Sequence, residues 1–421
     1  MIGAMLELDE ARRSAFVPLV QAWLARREAD VGVAPVEVLE VEVLLAGRPG
    51  LLDVVALVDG RLAHLVVGLH GPGAEVAALR GEADGIVLGE YRDDRGTAVA
   101  VDALWDAELA PLMMIAISGE EPSRVSVAAD DDTATVLDVD EWCSFSVFPW
   151  LTEGPHPAVD MLVTLDEVGF NHLAAPIALW RRQGRDLGLV QDRLAESADG
   201  WALALTSLRD LFGSGTTPER AGGDFAIEAS SLGTMTARLH LATDKAFGRR
   251  SGAVADWSAE VEAAVLGGAP GLMDPAALDA LRGLRTSGAR LPMIRTHGDL
   301  HLGRLARTNQ GWVVADWRPG GVDDAGQPRF RSALTDVADM LWSLRFVAVA
   351  ALDERDVALR PGLGAAAQAW AERNRRAFLA GYSSTPGVEE LVPADRELLD
   401  ALVAAFELEQ AAVRSAHQPA A

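Results

Sequence analysis

Apolar positions near the start of the chain recur first at helical spacing and then at strand spacing. Over Asp9–Arg27, the residues Phe16, Leu19, Val20, Trp23 and Leu24 share one face of a 3.6-residue period, which predicts an amphipathic helix. Val36–Leu45, Leu51–Val58 and Leu62–Gly68 then alternate or run apolar. The turn chemistry between them, Gly47 to Gly50 and Asp59-Gly60, signals hairpins. Val99–Leu104 is a further strand-like run, and the pattern changes character over Pro111–Ile117. A small α+β unit over residues 1–110 is expected.

Arg124–Ala128, Ala134–Val139 and Cys143–Trp150 read as successive antiparallel strands, Pro157–Val168 as a helix, and Ile177–Arg181 and Leu187–Leu194 as two more strands. From Trp201 the chain turns mostly helical, with candidates at Thr234–Thr243, Val254–Val265, Pro275–Leu284, Ala333–Val349, Gly364–Tyr382 and Ala394–Ala412. Asp274 before Pro275 is a good helix start. Two short strands, Met293–Thr296 and Gly311–Asp316, interrupt the helices.

Composition narrows the partners. Lys and Arg total 37 against 62 Asp and Glu, a net charge of −25, so neither nucleic acid nor an anionic membrane surface is an expected partner. With 49% hydrophobic residues the chain is expected to fold rather than remain an acidic disordered segment. Cys143 is the only cysteine, which excludes an internal disulfide and a Cys-based metal cluster. No signal peptide is read at the N-terminus, and runs such as Phe346–Leu352 are far too short to span a bilayer; a cytoplasmic protein is expected. Lys245 is the only lysine, so any lysine chemistry must use it. The sequence carries no signal of oligomeric state.

The most informative stretch is Thr296–Arg304 with its His297-Gly298-Asp299 triplet, followed by Trp312–Trp317 around Asp316. Two acids at the ends of two short apolar strands suit phosphoryl transfer. One carboxylate orients the attacking hydroxyl and accepts its proton; the other holds the metal that neutralises the phosphates.

In this stretch the chain resembles the aminoglycoside-phosphotransferase-like kinases, and among them the bacterial maltokinases and glucosamine kinases. The same resemblance runs in order through Val101–Asp106, Leu151–Pro157, Asp199–Trp201, Ser231–His240, Asp336–Leu341, Ala377–Tyr382 and Phe406–Gln410. It implies an α+β, bilobal protein-kinase-like fold with an additional N-terminal cap domain. The cap would cover 1–110, an intermediate region and N-lobe 111–195, and a mostly helical C-lobe 196–421. By the resemblance Asp299 is the catalytic base, Asp316 binds Mg²⁺, and Gln191, Asp192, Arg193 and Leu194 form the hinge that reads the adenine of ATP. His297 is expected to hold the loop rather than to do chemistry.

Three departures from the family are visible. The N-lobe lysine that contacts the phosphates falls at Ser146, its paired acid would be Asp160, no G-x-G-x-x-G loop exists, and Asp130–Asp132 precede Thr133 instead. Where the family carries an amide as second metal ligand, this chain has Arg304. An arginine has no lone pair to offer a metal, so it would bind a phosphate oxygen, with His301 the remaining candidate metal ligand. The acceptor loop carries Asp323 and Asp324, and the next helix Trp342 and Arg345; carboxylates and a tryptophan face suit a sugar. The expected activity is an ATP-dependent sugar kinase converting glucosamine to glucosamine 6-phosphate. A maltokinase making maltose 1-phosphate is the alternative, a pseudokinase-like binding or regulatory protein the alternative of another class, and an aminoglycoside-modifying enzyme a more distant one.

Overall fold

In the computed structural model, which describes residues 4–27, 35–71, 86–194, 196–268, 275–317 and 328–417, a short strand β1 (Ala4–Met5) precedes helix α1 (Glu10–Arg27). The five apolar residues of its predicted stripe are all buried. Strands β2 (Val36–Leu45), β3 (Gly50–Val58), β4 (Arg61–His70), β5 (Val87–Asp93) and β6 (Gly96–Asp102) follow. Helix α2 (Leu109–Ser118) accounts for the change of character at Pro111–Ile117. Strands β7 (Val125–Asp130), β8 (Thr135–Val139), β9 (Cys143–Val147) and β10 (Trp150–Leu151) lead into helix α3 (Pro157–Glu167), and β11 (Pro176–Arg182) and β12 (Arg185–Asp192) close this part.

These strands make two antiparallel sheets. The larger runs β1-β2-β3-β4-β6-β5, with β10 paired on β4; the smaller runs β11-β12-β9-β8-β7. Strand β5 was not predicted: its two buried residues, Leu88 and Tyr91, are separated by Gly89 and Glu90 and give no alternation, and it forms because β6 offers a paired edge. The acidic run Asp130–Asp132 serves the β7–β8 turn, where Asp131 accepts from the Thr133 and Ala134 N–H groups and Asp130 pairs with Arg27 at 2.7 Å.

The remainder is mainly helical: β13 (Ala198–Asp199), α4 (Gly200–Ser214), α5 (Ala226–Phe247), β14 (Arg250–Ala253), α6 (Val254–Gly268), α7 (Pro275–Thr286), β15 (Arg290–Arg295), β16 (Leu305–Thr308), β17 (Gly311–Val314), β18 (Phe330–Arg331), α8 (Leu334–Asp353), α9 (Arg360–Ser383) and α10 (Arg396–His417). Helix α5 extends well past its predicted ends, so Lys245 lies in its last turn, exposed, with Nζ donating to Val168 O at 3.1 Å. Helices α5 and α9 touch backbone to backbone at Gly233 and Gly381. A Cβ on Gly233 would lie 2.0 Å from Phe378 O, and one on Gly381 2.0 Å from Ser230 O.

The chain packs as two compact units. One is Met1–Asp160 with Ala175–Ala195, which holds both larger sheets; the other is Met161–Ala174 with Glu196–Ala421. The expected N-lobe and cap thus share a unit, joined by the β10–β4 pairing and by buried charge. Arg182 bonds Glu42 at 2.6 Å and also Asp53, and His64 lies 2.8 Å from Asp53, itself fully buried.

Candidate active site

The loop between β15 and β16 is held from below by one buried carboxylate. Asp336, in the first turn of α8, accepts the N–H groups of His297 and Gly298, each at 2.8 Å. His240 of α5 reaches the same carboxylate at 3.1 Å, and the Tyr382 hydroxyl lies 2.9 Å from the other nitrogen of that ring. Burial alone would raise the Asp336 carboxyl; the hydrogen bond and charge from His240, with His297 and the Gly298 N–H, outweigh it and hold the pKa below the ordinary value. Gly298 takes φ +83°, a turn that brings both N–H groups onto one acid.

His297 organises the second acid. Its Nδ1 accepts from Asp299 N at 3.3 Å, so Nε2 carries the proton and donates to Asp316 O at 3.1 Å. Burial lowers its pKa, keeping the ring neutral. His297 is therefore a structural link between the loop and the end of the β16–β17 hairpin.

The two carboxylates converge on Arg304. Its Nη2 donates to Asp299 Oδ2 at 2.7 Å and its Nη1 to Asp316 Oδ2, and the side chain is nearly buried. From α10, Arg414 Nη2 reaches the other oxygen of Asp299 at 2.7 Å. Burial would raise the Asp299 carboxyl, but hydrogen bonds and charge from His301 and Arg304 prevail and hold it well below the usual carboxylate range. The His301 ring sits with Nε2 3.7 Å from Asp299 while Nδ1 accepts from Gly303 N.

This donor set does not fit a divalent metal. A cation between Asp299 and Asp316 would meet the Arg304 guanidinium, which already lies there, and among the described residues no group of three His, Cys, Asp or Glu is placed to hold an ion.

No family model matches the chain. Over 254 residues it is 31% identical to the glucosamine kinase of Streptacidiphilus jiangxiensis, covering 54% of this chain and 54% of that one. Over 263 residues it is 29% identical to the glucosamine kinase of Mycolicibacterium smegmatis, covering 57% of this chain and 62% of the relative. The aligned part thus spans little more than half the length of these relatives. The fold matches a solved structure of glucosamine kinase in complex with glucosamine, ADP and inorganic phosphate at a TM-score of 0.64. That match has 20% identity and covers 93% of this chain and 91% of the other. A second glucosamine kinase structure gives a TM-score of 0.62 at 22% identity, covering 92% and 89%.

The chain is similar in sequence to the glucosamine kinase group and shares its fold.

Set beside that group's pattern, the remaining expected residues separate. Ser146 sits half-buried in β9, paired with Val136 and Leu189, where the kinase lysine is expected. Gln191 and Asp192 end β12, followed by Arg193 and Leu194; the N–H groups of Asp192 and Arg193 are engaged by Ala175 O and Trp142 O, each at 2.9 Å. Trp342 joins the acids: the Arg414 guanidinium lies 4.6 Å from its ring, which stacks on Phe346 at 4.5 Å. Arg345, one turn on, is exposed and lines a different groove of about 580 Å³, with Leu341, Gln368 and Glu407. Asp323 and Asp324 lie outside the described residues.

Two residues that converge here were not singled out from the sequence. Arg414 gave no signal, because its approach depends on where α10 packs. Asp339 had one: it is an acid inside the apolar stretch Val337–Leu341, on the face of α8 that carries Asp336. It is buried, and neither carboxylate oxygen has a hydrogen-bond partner. Burial, then the charge of Asp336, pushes its pKa well up.

Proposed function

We propose that the chain is an ATP-dependent phosphotransferase that moves the γ-phosphoryl group to a hydroxyl of an amino sugar, with glucosamine the first candidate and glucosamine 6-phosphate its product. The observation that carries this reading is the convergence of Asp299 and Asp316 on the Arg304 guanidinium, in a fold shared with glucosamine kinases.

With its pKa held low, Asp299 is ionised at any working pH. It would accept the hydrogen bond of the acceptor hydroxyl and align that oxygen with phosphorus. The new P–O bond forms as the bond to the β-phosphate breaks; ADP leaves, and the hydroxyl proton passes to Asp299 late in the step. A loose transition state asks for alignment and charge neutralisation more than for a strong base. Arg304 would supply the cation, its planar fork matching two phosphoryl oxygens. At the end of β12, Leu194 offers the hinge contact, since its two predecessors have engaged N–H groups. An acceptor that carries an ammonium group could pair with Asp299 in place of Arg414.

A second reading, a nucleotide-binding protein without transfer, is favoured by one observation: Arg304 and Arg414 together hold both acids, while Ser146 replaces the lysine. Coupled ADP release over glucosamine, maltose, glucose and an aminoglycoside separates the two. The expected result is turnover with glucosamine above the others, abolished in Asp299→Asn. Calorimetric binding of Mg·ATP with no turnover on any acceptor favours the second reading.

A further inference from the structure

Arg414 makes an unusual set of contacts for a side chain on a C-terminal helix. Its guanidinium bonds Asp299 Oδ1 at 2.7 Å, lies 4.0 Å from Asp339 Oδ1, and sits 4.6 Å from the Trp342 ring. A carboxylate, a buried acid that a cation would help to ionise, and an aromatic face suit a small organic cation. The fit is incomplete. Arg414 Nε is buried without a hydrogen bond, and neither buried Asp339 oxygen has one, with the Asp339 side chain only 1% exposed. Asp336, one turn earlier on α8, shows the contrast: its carboxylate accepts from two backbone N–H groups and a histidine. A buried acid without donors is retained at a cost in stability unless something else uses it.

We propose that Asp299, Asp339 and Trp342 form a subsite for the cationic group of the acceptor, and that Arg414 is an internal stand-in for that cation, filling the subsite until an acceptor displaces it. This rests on the amino-sugar reading above and adds to it the residues that select the ammonium group. The displaced Arg414 would leave Asp299 free to take the acceptor hydroxyl. Because the resting state is self-occupied, apparent acceptor affinity is lowered by the fraction of protein whose subsite is filled.

The test uses the full chain and its Arg414→Ala variant, with Arg414→Gln as a second form. Calorimetry with glucosamine is expected to give binding roughly tenfold tighter in the Arg414 variants than in the wild type, while uncharged glucose changes little. Asp339→Asn in the wild-type background is expected to weaken glucosamine binding but not glucose binding. A second arm needs no sugar and no transfer: millimolar methylguanidinium should raise the melting temperature of Arg414→Ala saturably, and should do so neither in the wild type nor in Arg414→Ala/Asp339→Asn. The same methylguanidinium response in all three proteins, or glucosamine binding no tighter in both Arg414 variants, overturns the proposal. If methylguanidinium responds as expected while no amino sugar is phosphorylated, the subsite stands and the amino-sugar kinase reading fails.

Discussion

Asp299 is a carboxylate that does not titrate in the working range of an enzyme, because His301 and Arg304 outweigh the effect of its burial. Its ordinary value near 4 moves down on folding, so it stabilises the folded state above that pH and the contribution is lost only as pH falls further. Any acid limb in the rate profile between about pH 5 and 7 must therefore come from another group. Asp299→Asn should lower kcat by roughly 10²- to 10⁴-fold in steady-state measurements, and should also lower the melting temperature, since Arg304 and Arg414 lose their charged partner. Arg304 makes the complementary case. Arg304→Gln removes the cation between the two acids and supplies an amide oxygen. Mn²⁺ binding followed by electron paramagnetic resonance should appear in that variant and be absent in the wild type without nucleotide; equal binding in both would contradict the arrangement. The two acids were legible in the sequence because their placement is local, set by a turn and a short hairpin. The approach of Arg414 was not, because it depends on how α10 packs, and Arg414 lies 115 residues away in the chain; Asp339 was marked only as an acid in an apolar stretch.

The elements most readable from their apolar pattern were α1, buried on one face, and β3 and β4, buried on both. Those that escaped include β5, β14 and β16, which form by pairing with a neighbour rather than by their own pattern. The crossing of α5 and α9 could not be read either, since a glycine signals flexibility and close approach alike. Here it is close approach. Gly381→Ala should destabilise by about 1–3 kcal/mol or more in urea unfolding, as an added methyl forces two backbones apart. Gly364→Ala in the same helix meets open space and should instead stabilise, by up to about 1 kcal/mol. Equal effects at the two positions would mean that the helix backbones do not touch. Because α5 also carries His240, loosening this crossing should weaken the hold on the His297–Arg304 loop through Asp336.

The chain as a whole is acidic, but its charges are not spread uniformly. A buried set binds the larger sheet to the smaller sheet: Arg182→Met would leave Glu42 and Asp53 short of their partner, and a loss of roughly 3–5 kcal/mol is expected in chemical denaturation. The same unit contains an acid-sensitive point. His156, stacked on Phe148 at 4.1 Å, has its pKa pushed down to about 4 by burial. The unfolded chain takes up that proton below about 6.5, while the folded protein does not until near 4. Stability is therefore full above about pH 6.5 and falls by on the order of 3 kcal/mol as pH drops toward 4. Urea midpoints against pH should show this slope in the wild type and a reduced one in His156→Phe. The central claim, that this constellation transfers phosphoryl groups to an amino sugar, is tested most directly by ³¹P NMR of the protein with ATP and glucosamine. The account predicts a new phosphomonoester resonance growing in step with ADP for the wild type and none for Asp299→Asn. No phosphomonoester in either, or equal growth in both, would contradict it.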